Sequence, residues 1–345
     1  MIDIGVSSYE KTINIILIAA VLILISFSAG VKIHSLSTFS GISDWNYQQL
    51  DQINSTDNNF SFIVLGDNKN SVTVFEKLIE KVNKEDAIFA IDTGDLVFNG
   101  EKHRFNFFMN QIKALNKPLL TAIGNHELTD QGRGNYYDMF GRFYYSFTVG
   151  ETYFIVLDDA DSKNIDPWQM NWLENELQKS TKYSNRFVFM HVPLFDPRNG
   201  ELAEGHSLDD LEFANELNGV FDEYNVTMLF CSHIHAYYNG TWGKTPYIIT
   251  GGAGAELVGN DPNHDFFHYI KVNVSDDGIK YEVVKLKGSE FEIVARWTYT
   301  VWLYIYAFFD INGIYLIIAL SWICLGYYII FVKKKWLIWN YRQNK

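Results

Sequence analysis

Two uncharged apolar stretches constrain this chain more than any other feature of its sequence. Residues 12–31 form the first stretch and residues 313–332 form the second. A helix of about 20 consecutive apolar residues spans the hydrocarbon core of a bilayer, so each stretch is long enough to cross once. No other stretch of that length separates them. We therefore predict that the residues between them lie on one side of a membrane.

The flanking residues predict which side that is. Lys333, Lys334 and Lys335 follow the second stretch directly, and short segments rich in Lys and Arg stay in the cytoplasm. We expect the protein in the cell membrane, with a cytoplasmic C-terminus and an extracytoplasmic domain. A buried core helix is the alternative interpretation of 313–332. For 12–31 the alternative to an anchor is a signal peptide, because residues 26–30 resemble a cleavage region.

Composition divides the chain into six segments. Residues 32–59 are polar, whereas residues 297–309 are aromatic and apolar but too short to span, as in a segment lying on the membrane surface. We predict a membrane anchor or signal segment at 1–31, a polar stalk at 32–59, a globular domain at 60–290, a juxtamembrane segment at 291–312, a transmembrane helix at 313–332 and a basic cytoplasmic tail at 333–345.

Charge and cysteine content exclude some classes of protein. The net charge is -13, although residues 311–345 contain no acidic residue. A body this acidic argues against a nucleic-acid-binding surface, which must be basic. It does not exclude a small anionic substrate, because bound cations dominate the field of a metal site. Cys231 and Cys324 are too far apart to suggest a disulfide framework.

Short β-rich runs alternate with amphipathic segments in the first part of the domain, as is typical of an α/β sheet. Three later runs have no helical pattern between them, and we expect them to form a second, antiparallel portion. The alternating runs are 60–66, 87–94, 118–124, 152–159, 186–192 and 227–233, and the later runs are 247–252, 267–274 and 280–286.

Polar side chains follow these runs where the predicted strands end, which is where open α/β sheets place their sites. They are Asp67, Asp95, Asn125, His126, His191, His233 and His235. Asp and His bind divalent metals such as Mn, Fe and Zn. Two such metals about 3.5–4 Å apart can activate a hydroxide and clamp a phosphoryl group. The sequence therefore predicts a two-metal centre at this edge.

The motifs GD, GDxV, GNHE, HxP and SHxH occur in this order between residues 62 and 274. In this the chain resembles the calcineurin-like metallophosphoesterase superfamily, which includes the purple acid phosphatases. The resemblance implies an α/β fold, a four-layer αββα sandwich of two mixed sheets, here flanked by N- and C-terminal transmembrane helices. It also implies hydrolysis of phosphate mono- or diesters by a metal-bound hydroxide at a dinuclear centre.

The resemblance assigns roles residue by residue. Asp95 would bridge two Mn, Fe or Zn ions, with Asn125, His191 and His233 completing one site and Asp67 and His235 serving the other.

Catalytic and substrate-binding roles follow in the same way. His126 would contact the phosphate or protonate the leaving oxygen, with Glu127 orienting it, and Asn125 would also face the substrate. His206 lies beyond the His191 motif and can reach a substrate over the rim, although a solvated or capping histidine is the alternative. Lys69 can supply a fixed positive charge to the substrate.

Two departures from the family pattern weaken one site. Lys69 stands where the family usually has a His, two residues after Asp67, and Phe98 stands where purple acid phosphatases have a Tyr ligand. Only Asp67, Asp95 and His235 then remain at that site, and we expect weaker occupancy.

Because a membrane anchor would hold the phosphoesterase at the membrane surface, we expect an envelope- or lipid-linked phosphate as its substrate. The alternative to this leading interpretation is a catalytically weakened surface binding or adhesion domain on the same fold, and it rests on the two departures at Lys69 and Phe98. A transporter is disfavoured, because two spans without an internal charge offer no ion pathway.

Overall fold

The computed structural model describes residues 8–39, 43–53, 57–198, 205–288 and 290–333. The chain divides into two compact units. The larger, Ile42–Thr298, contains both sheets, and the smaller contains the first helix and the part of the last helix from Tyr299 onward.

Within the described residues, helices precede, separate and follow the strands. The helices are α1 (Ser8–Phe39), α2 (Trp45–Leu50), α3 (Thr73–Val82), α4 (Lys102–Ile112), α5 (Gly132–Phe140), α6 (Pro167–Ser180), α7 (Leu211–Glu223) and α8 (Glu292–Tyr327), with a 3₁₀ turn over His126–Gln131 and a π-helical turn over Tyr328–Lys333.

The strands of the described residues form two mixed sheets. They are β1 (Phe60–Leu65), β2 (Phe89–Asp92), β3 (Leu119–Thr121), β4 (Tyr145–Val149), β5 (Thr152–Val156), β6 (Asn185–Phe189), β7 (Met228–Cys231), β8 (Tyr237–Trp242), β9 (Thr245–Thr250), β10 (His268–Ser275) and β11 (Gly278–Lys285). The first sheet has the order β11-β10-β1-β2-β3 and the second has the order β4-β5-β6-β7-β9-β8. β1, β2 and β3 run parallel to one another in the first sheet, and β5, β6, β7 and β9 do so in the second. Within each sheet this directs their carboxyl ends to one edge.

Aromatic side chains fill the space between the two sheets. Phe62 and Phe89 of the first sheet stack at 5.3 Å between ring centroids, and Phe62 meets Phe154 and Phe187 of the second sheet edge to face. Each buried phenylalanine stabilises the sandwich by roughly 1.5–3 kcal/mol. Separate apolar clusters join α3, α4 and α5 to the first sheet and α6 and α7 to the second. The predicted four-layer αββα architecture is therefore confirmed.

The later strands do not form one separate antiparallel portion, so this prediction is wrong. β10 and β11 make the expected hairpin, but β10 joins the first sheet beside β1, with Phe60 opposite Val274. β9 joins the second sheet parallel to β7, with Leu229 opposite Tyr247. β8 contains no buried residue, so no apolar run indicates this strand in the sequence. It pairs antiparallel with β9 and returns the chain so that β9 can run parallel to β7.

Part of the segment predicted as a stalk packs against the domain. Trp45 Nε1 in α2 donates to the carbonyl of Leu119 at 2.8 Å, and Asn46 Oδ1 accepts from Thr121 N at 2.9 Å. Both acceptor and donor belong to β3, the last strand of its sheet. Because an edge strand leaves backbone groups unpaired, α2 covers an edge that would otherwise be open.

The two terminal helices are long and apolar enough to cross a membrane, over Ile13–Ser35 and Glu292–Ile330, and suggest a membrane protein. Within the smaller unit they pair in opposite directions. Lys32 Nζ lies 3.2 Å from Asp310 Oδ1, and the rings of Phe27 and Phe309 are 4.8 Å apart.

Candidate metal centre

Tight turns place two carboxylates above the carboxyl ends of β1 and β2. Asp67 and Asp95 both adopt left-handed backbone conformations, with φ of 60° and 56°. Each follows a glycine, and at Gly66 an added Cβ would lie 2.3 Å from Thr93 Oγ1. Only a residue without a side chain permits this close approach of the β1 and β2 loops.

Five of the six predicted metal ligands form two overlapping groups. Asp95, His191 and His233 bring one ligand atom each within 4.8 Å of one another, and so do Asp67, Asp95 and His235. Asp95 belongs to both groups. A carboxylate shared in this way is the arrangement needed to bridge two cations.

Asn125 completes the first group. Its Oδ1 lies 2.9 Å from His191 Nε2 and 2.9 Å from His233 Nδ1, at the end of the loop after β3. The structure thus brings all six predicted ligands together. We call Asp95, Asn125, His191 and His233 the Asn125 half-site. We call Asp67, Asp95 and His235 the Asp67 half-site.

Backbone carbonyls orient the imidazole rings. His191 Nδ1 faces the carbonyl of Thr93 at 3.1 Å, and His235 Nδ1 faces the carbonyl of Glu256 at 2.7 Å. A carbonyl only accepts hydrogen bonds, so each Nδ1 carries the proton and each Nε2 has a free lone pair. Partners of this kind fix the tautomer and direction of metal-binding histidines.

The histidines are neutral at physiological pH, which metal binding requires. Burial lowers the pKa of His191, and burial together with the nearby His191 lowers the pKa of His233 to about 3. Burial and the charge of Lys69 lower the pKa of His235 to about 3.

Of the two buried carboxylates, Asp67 lacks the hydrogen-bond partners that a buried charge needs among the described residues. Both Asp67 and Asp95 are fully buried, and among the described residues neither oxygen of Asp67 accepts a hydrogen bond. Burial and the adjacent Asp95 raise the pKa of Asp67. Burial alone would also raise the pKa of Asp95, but His191 and Lys69 hold it well below its usual value. Buried carboxylates are costly without a cation, so these residues fit a site for divalent metals.

His126 lies beside the shared carboxylate. Its backbone N–H donates to Asp95 Oδ1 at 3.0 Å, and its Nε2 is 3.8 Å from Asp95 Oδ2. Its Nδ1 faces the carbonyl of Phe98 at 2.5 Å, so Nε2 points toward the centre. The Phe98 carbonyl could not be predicted as the partner of His126, because every residue type carries a backbone carbonyl.

Glu127 has a different position from the one expected. Its buried carboxylate accepts hydrogen bonds from the backbone of Asp95, Val97 and Gly124 at 2.7–3.0 Å, and burial raises its pKa to about 8. Within the described residues no hydrogen bond joins its carboxylate to the His126 ring. Glu127 therefore holds the loop that carries Asp95, and the Phe98 carbonyl orients His126.

Of the remaining predicted residues, Lys69 and His206 both lie close to the centre. Lys69 Nζ is 3.2 Å from Asp95 Oδ2, and its side chain is largely buried. The ring of His206 lies 5.8 Å from that of His233.

Asp159 supports the centre and was missed. Its carboxylate accepts from the backbone N–H groups of His191 and Val192, both at 2.8 Å, and burial raises its pKa to about 8. Asp159 ends the run 152–159 and follows β5 at the same edge as the other site residues. This position after a predicted strand is the feature from which it could have been predicted.

Comparison with known proteins agrees with this geometry. A family profile described as calcineurin-like phosphoesterase matches residues 42–237. Purple acid phosphatase 23 of Arabidopsis thaliana is 25% identical over 193 residues, which cover 46% of this chain and 41% of that protein. The 3′,5′-cyclic adenosine monophosphate phosphodiesterase CpdA of Haemophilus influenzae is 24% identical over 230 residues, covering 63% of this chain and 81% of that protein.

A solved structure extends the likeness to the fold. The purple acid phosphatase PPD1 from yellow lupin seeds matches with a TM-score of 0.54 at 18% identity, covering 67% of this chain and 52% of that one. The family profile matches more than half of the chain, and the matched range includes all six candidate metal ligands. The chain belongs to the calcineurin-like phosphoesterase family.

Proposed function

We propose that the chain is a metal-dependent phosphoesterase that hydrolyses phosphate mono- or diesters at a dinuclear centre. One observation carries the proposal: the Asn125 half-site and the Asp67 half-site share Asp95. Their carboxylate, amide and imidazole donors suit Mn, Fe or Zn. Two cations held there would supply an activated hydroxide and polarise the phosphoryl group.

His126 would act as the general acid. Because Nδ1 is engaged by the Phe98 carbonyl, the proton that the ring can transfer is the one on Nε2. That atom is 3.8 Å from Asp95 Oδ2 and so faces the place where the ester must lie. Donation of this proton to the leaving oxygen would avoid the expulsion of an unprotonated alkoxide.

Three further side chains would bind the substrate. Asn125 bridges two ligand histidines and can donate through its amide nitrogen to a phosphate oxygen. Lys69 would turn from Asp95 toward the phosphate once a cation neutralised that carboxylate. His206 would contact the part of the substrate that extends past His233.

The terminal helices favour a substrate in or near the membrane, such as an envelope- or lipid-linked phosphate. We infer an extracytoplasmic domain, because Lys333–Lys335 directly follow the apolar stretch 313–332 in sequence and would remain in the cytoplasm. The opposite directions of α1 and α8 agree with a domain that lies wholly on one side of the membrane. Lys32 directly follows the predicted span 12–31, and Asp310 lies shortly before the predicted span 313–332. Because these two residues pair, both helices would leave the membrane on the same side.

Lys69 supports a second candidate function, a catalytically weakened binding or adhesion domain. Its ammonium group forms an ion pair with the carboxylate that a bridging role requires. If that ion pair persisted, the chain would keep the fold and lose the second cation.

Hydrolysis assays on the full-length protein in detergent separate the two functions. Chromogenic phosphate mono- and diesters would be tested with added Mn²⁺, Zn²⁺ or Fe²⁺. We expect turnover that depends on metal, that Asp95→Asn abolishes, and that Asp86→Asn, at an exposed loop position, preserves. Absence of metal-dependent turnover across the panel would leave the binding domain as the function.

A further inference from the structure

The first turns of α8 contact the backbone segments that carry two ligands of the Asp67 half-site. Glu292 and Arg296 are four residues apart and so lie on one face of the helix. We propose that they are positioning residues for Asp67 and His235, which makes the start of α8 part of the metal centre. This inference rests on the proposed function, because it concerns the second of its two cations.

Glu292 fixes the end of the loop that begins at Asp67. Its buried carboxylate accepts five hydrogen bonds from the start of α3, at distances of 2.8–3.2 Å where the donor is a backbone N–H. The donors are the hydroxyls of Ser71 and Thr73 and the backbone N–H groups of Val72, Thr73 and Val74. The N-cap residue of α3, Val72, has no side-chain acceptor. Glu292 therefore satisfies N–H groups that α3 itself leaves open, and it does so from a distant part of the chain.

Arg296 fixes the loop that follows β9. Its Nη2 donates to the carbonyl of Gly254 at 2.8 Å, and its Nη1 lies 3.6 Å from the carboxylate of Glu256. The loop packs tightly here, since a Cβ at Gly254 would lie 2.3 Å from the side chain of Ser71. Arg296 also lies 3.6 Å from Glu292, so the two residues hold neighbouring loops together.

The loop held by Arg296 contacts both ligands. Ala255 N donates to the carbonyl of Asp67 at 2.7 Å, and the carbonyl of Glu256 accepts from His235 Nδ1 at 2.7 Å. The second contact sets the direction of the His235 ring. A shift of residues 254–256 would therefore move an Asp67 backbone contact and rotate the imidazole that completes the half-site.

The Asn125 half-site has other supports. The carbonyl of Thr93 orients His191, and the carboxylate of Asp159 holds the His191 backbone. We therefore expect loss of the α8 contacts to weaken one cation selectively. Outer partners of metal ligands typically change affinity by about 10–100-fold.

Metal titration of the full-length protein tests the proposal. Mn²⁺ would be titrated into metal-free protein, with electron paramagnetic resonance reporting the coupled spectrum of two adjacent ions. We expect Arg296→Ala to weaken binding of the second ion about 10-fold and leave the first unchanged. Arg296→Lys keeps a donor for Gly254 and should restore most of the affinity. Lys287→Ala, at an exposed position before α8, is the matched control.

The outcomes distinguish this inference from the proposed function. If the wild-type protein binds two coupled ions and hydrolyses a phosphoester, but Arg296→Ala keeps the wild-type affinity for both, the inference alone is overturned. If the wild type never binds a second ion, both fail, whereas a wild type that binds two coupled ions without turnover overturns the proposed function alone. Should Arg296→Ala not fold in a thermal unfolding assay, Glu292→Gln decides: selective loss of the second ion supports the inference, and wild-type affinity overturns it.

Discussion

Lys69 Nζ lies 3.2 Å from Oδ2 of Asp95, the one carboxylate that both half-sites share. The protein thus places a cation of its own where a second metal would need a free oxygen. Lys69 is also held in a left-handed backbone conformation, with φ of 44°, and its backbone N–H donates to the carbonyl of Asp95 at 2.9 Å. Its position beside Asp95 is therefore built into the loop.

Replacing Lys69 with histidine should strengthen the Asp67 half-site. The change removes a charge that repels the cation and adds an imidazole ligand, so the second metal should bind on the order of 10-fold more tightly. Elemental analysis after mild dialysis should give closer to one metal than two in the wild type and closer to two in Lys69→His. Lys77→His, exposed on α3, is the control. Two equally retained metals in the wild type would contradict the argument.

Removal of the His126 side chain should separate catalysis from metal binding. His126→Ala should cut turnover by roughly 10²–10⁴-fold, as loss of a general acid does, while metal content stays at the wild-type value. Asn125→Ala should lower metal content as well, since Oδ1 of Asn125 lies between two ligand histidines. Metal-free His126→Ala protein would show that the role assigned to His126 is wrong.

Gly66 should tolerate no side chain. An added Cβ would lie 2.3 Å from Thr93 Oγ1 and 2.6 Å from Ser232 Cβ, so Gly66→Ala must push apart the loops of β1, β2 and β7. We expect a lower free energy of unfolding, by about 1–3 kcal/mol. Gly219→Ala in α7 meets no atom within 4 Å and should stabilise by up to about 1 kcal/mol. Equal unfolding midpoints for the two variants in urea would refute this prediction.

His268 should make the domain less stable in acid. Burial lowers the pKa of this histidine, at the start of β10, to about 4. An unfolded histidine has a pKa near 6.5, so between these values the unfolded state binds more protons and stability falls as pH falls. The slope is at most about 1.4 kcal/mol per pH unit for one group.

Urea unfolding from pH 7 to pH 4.5 measures this slope. His268→Gln should show a weaker loss of stability toward acid than the wild type, while the ligand histidines contribute equally to both. Identical slopes for His268→Gln and the wild type would remove His268 as the cause.

Protease accessibility tests the orientation. Protease added to intact cells should degrade the domain, whereas a tag placed after Lys345 should survive, because the lysine cluster keeps that end inside. Protection of the domain until lysis would reverse the orientation and make this a cytoplasm-facing protein. Mass spectrometry of the N-terminus would distinguish the anchor from the signal peptide, since cleavage predicts a start near Val31.

The sequence by itself determined the α/β class, the family and the candidate ligands. The apolar runs that end near Asp67, Asp95 and His191 are short-range patterns that can be recognised in the sequence. The carboxyl ends of parallel strands meet at one edge of a sheet independently of the loop conformations, so these residues could be expected to lie together. The spanning length of the terminal stretches is likewise a property of composition alone.

Tertiary structure decided the contacts that depend on long-range approach. The sequence around Glu292 gives no sign that its carboxylate contacts Ser71, more than 200 residues away. The sequence around Arg296 likewise gives no sign that its side chain contacts Gly254, about 40 residues away. The same holds for the Phe98 carbonyl that orients His126 and for Glu127, whose carboxylate binds the Asp95 loop instead. Backbone acceptors and packing distances have no residue-type signature, so only the folded chain shows which side chains they hold.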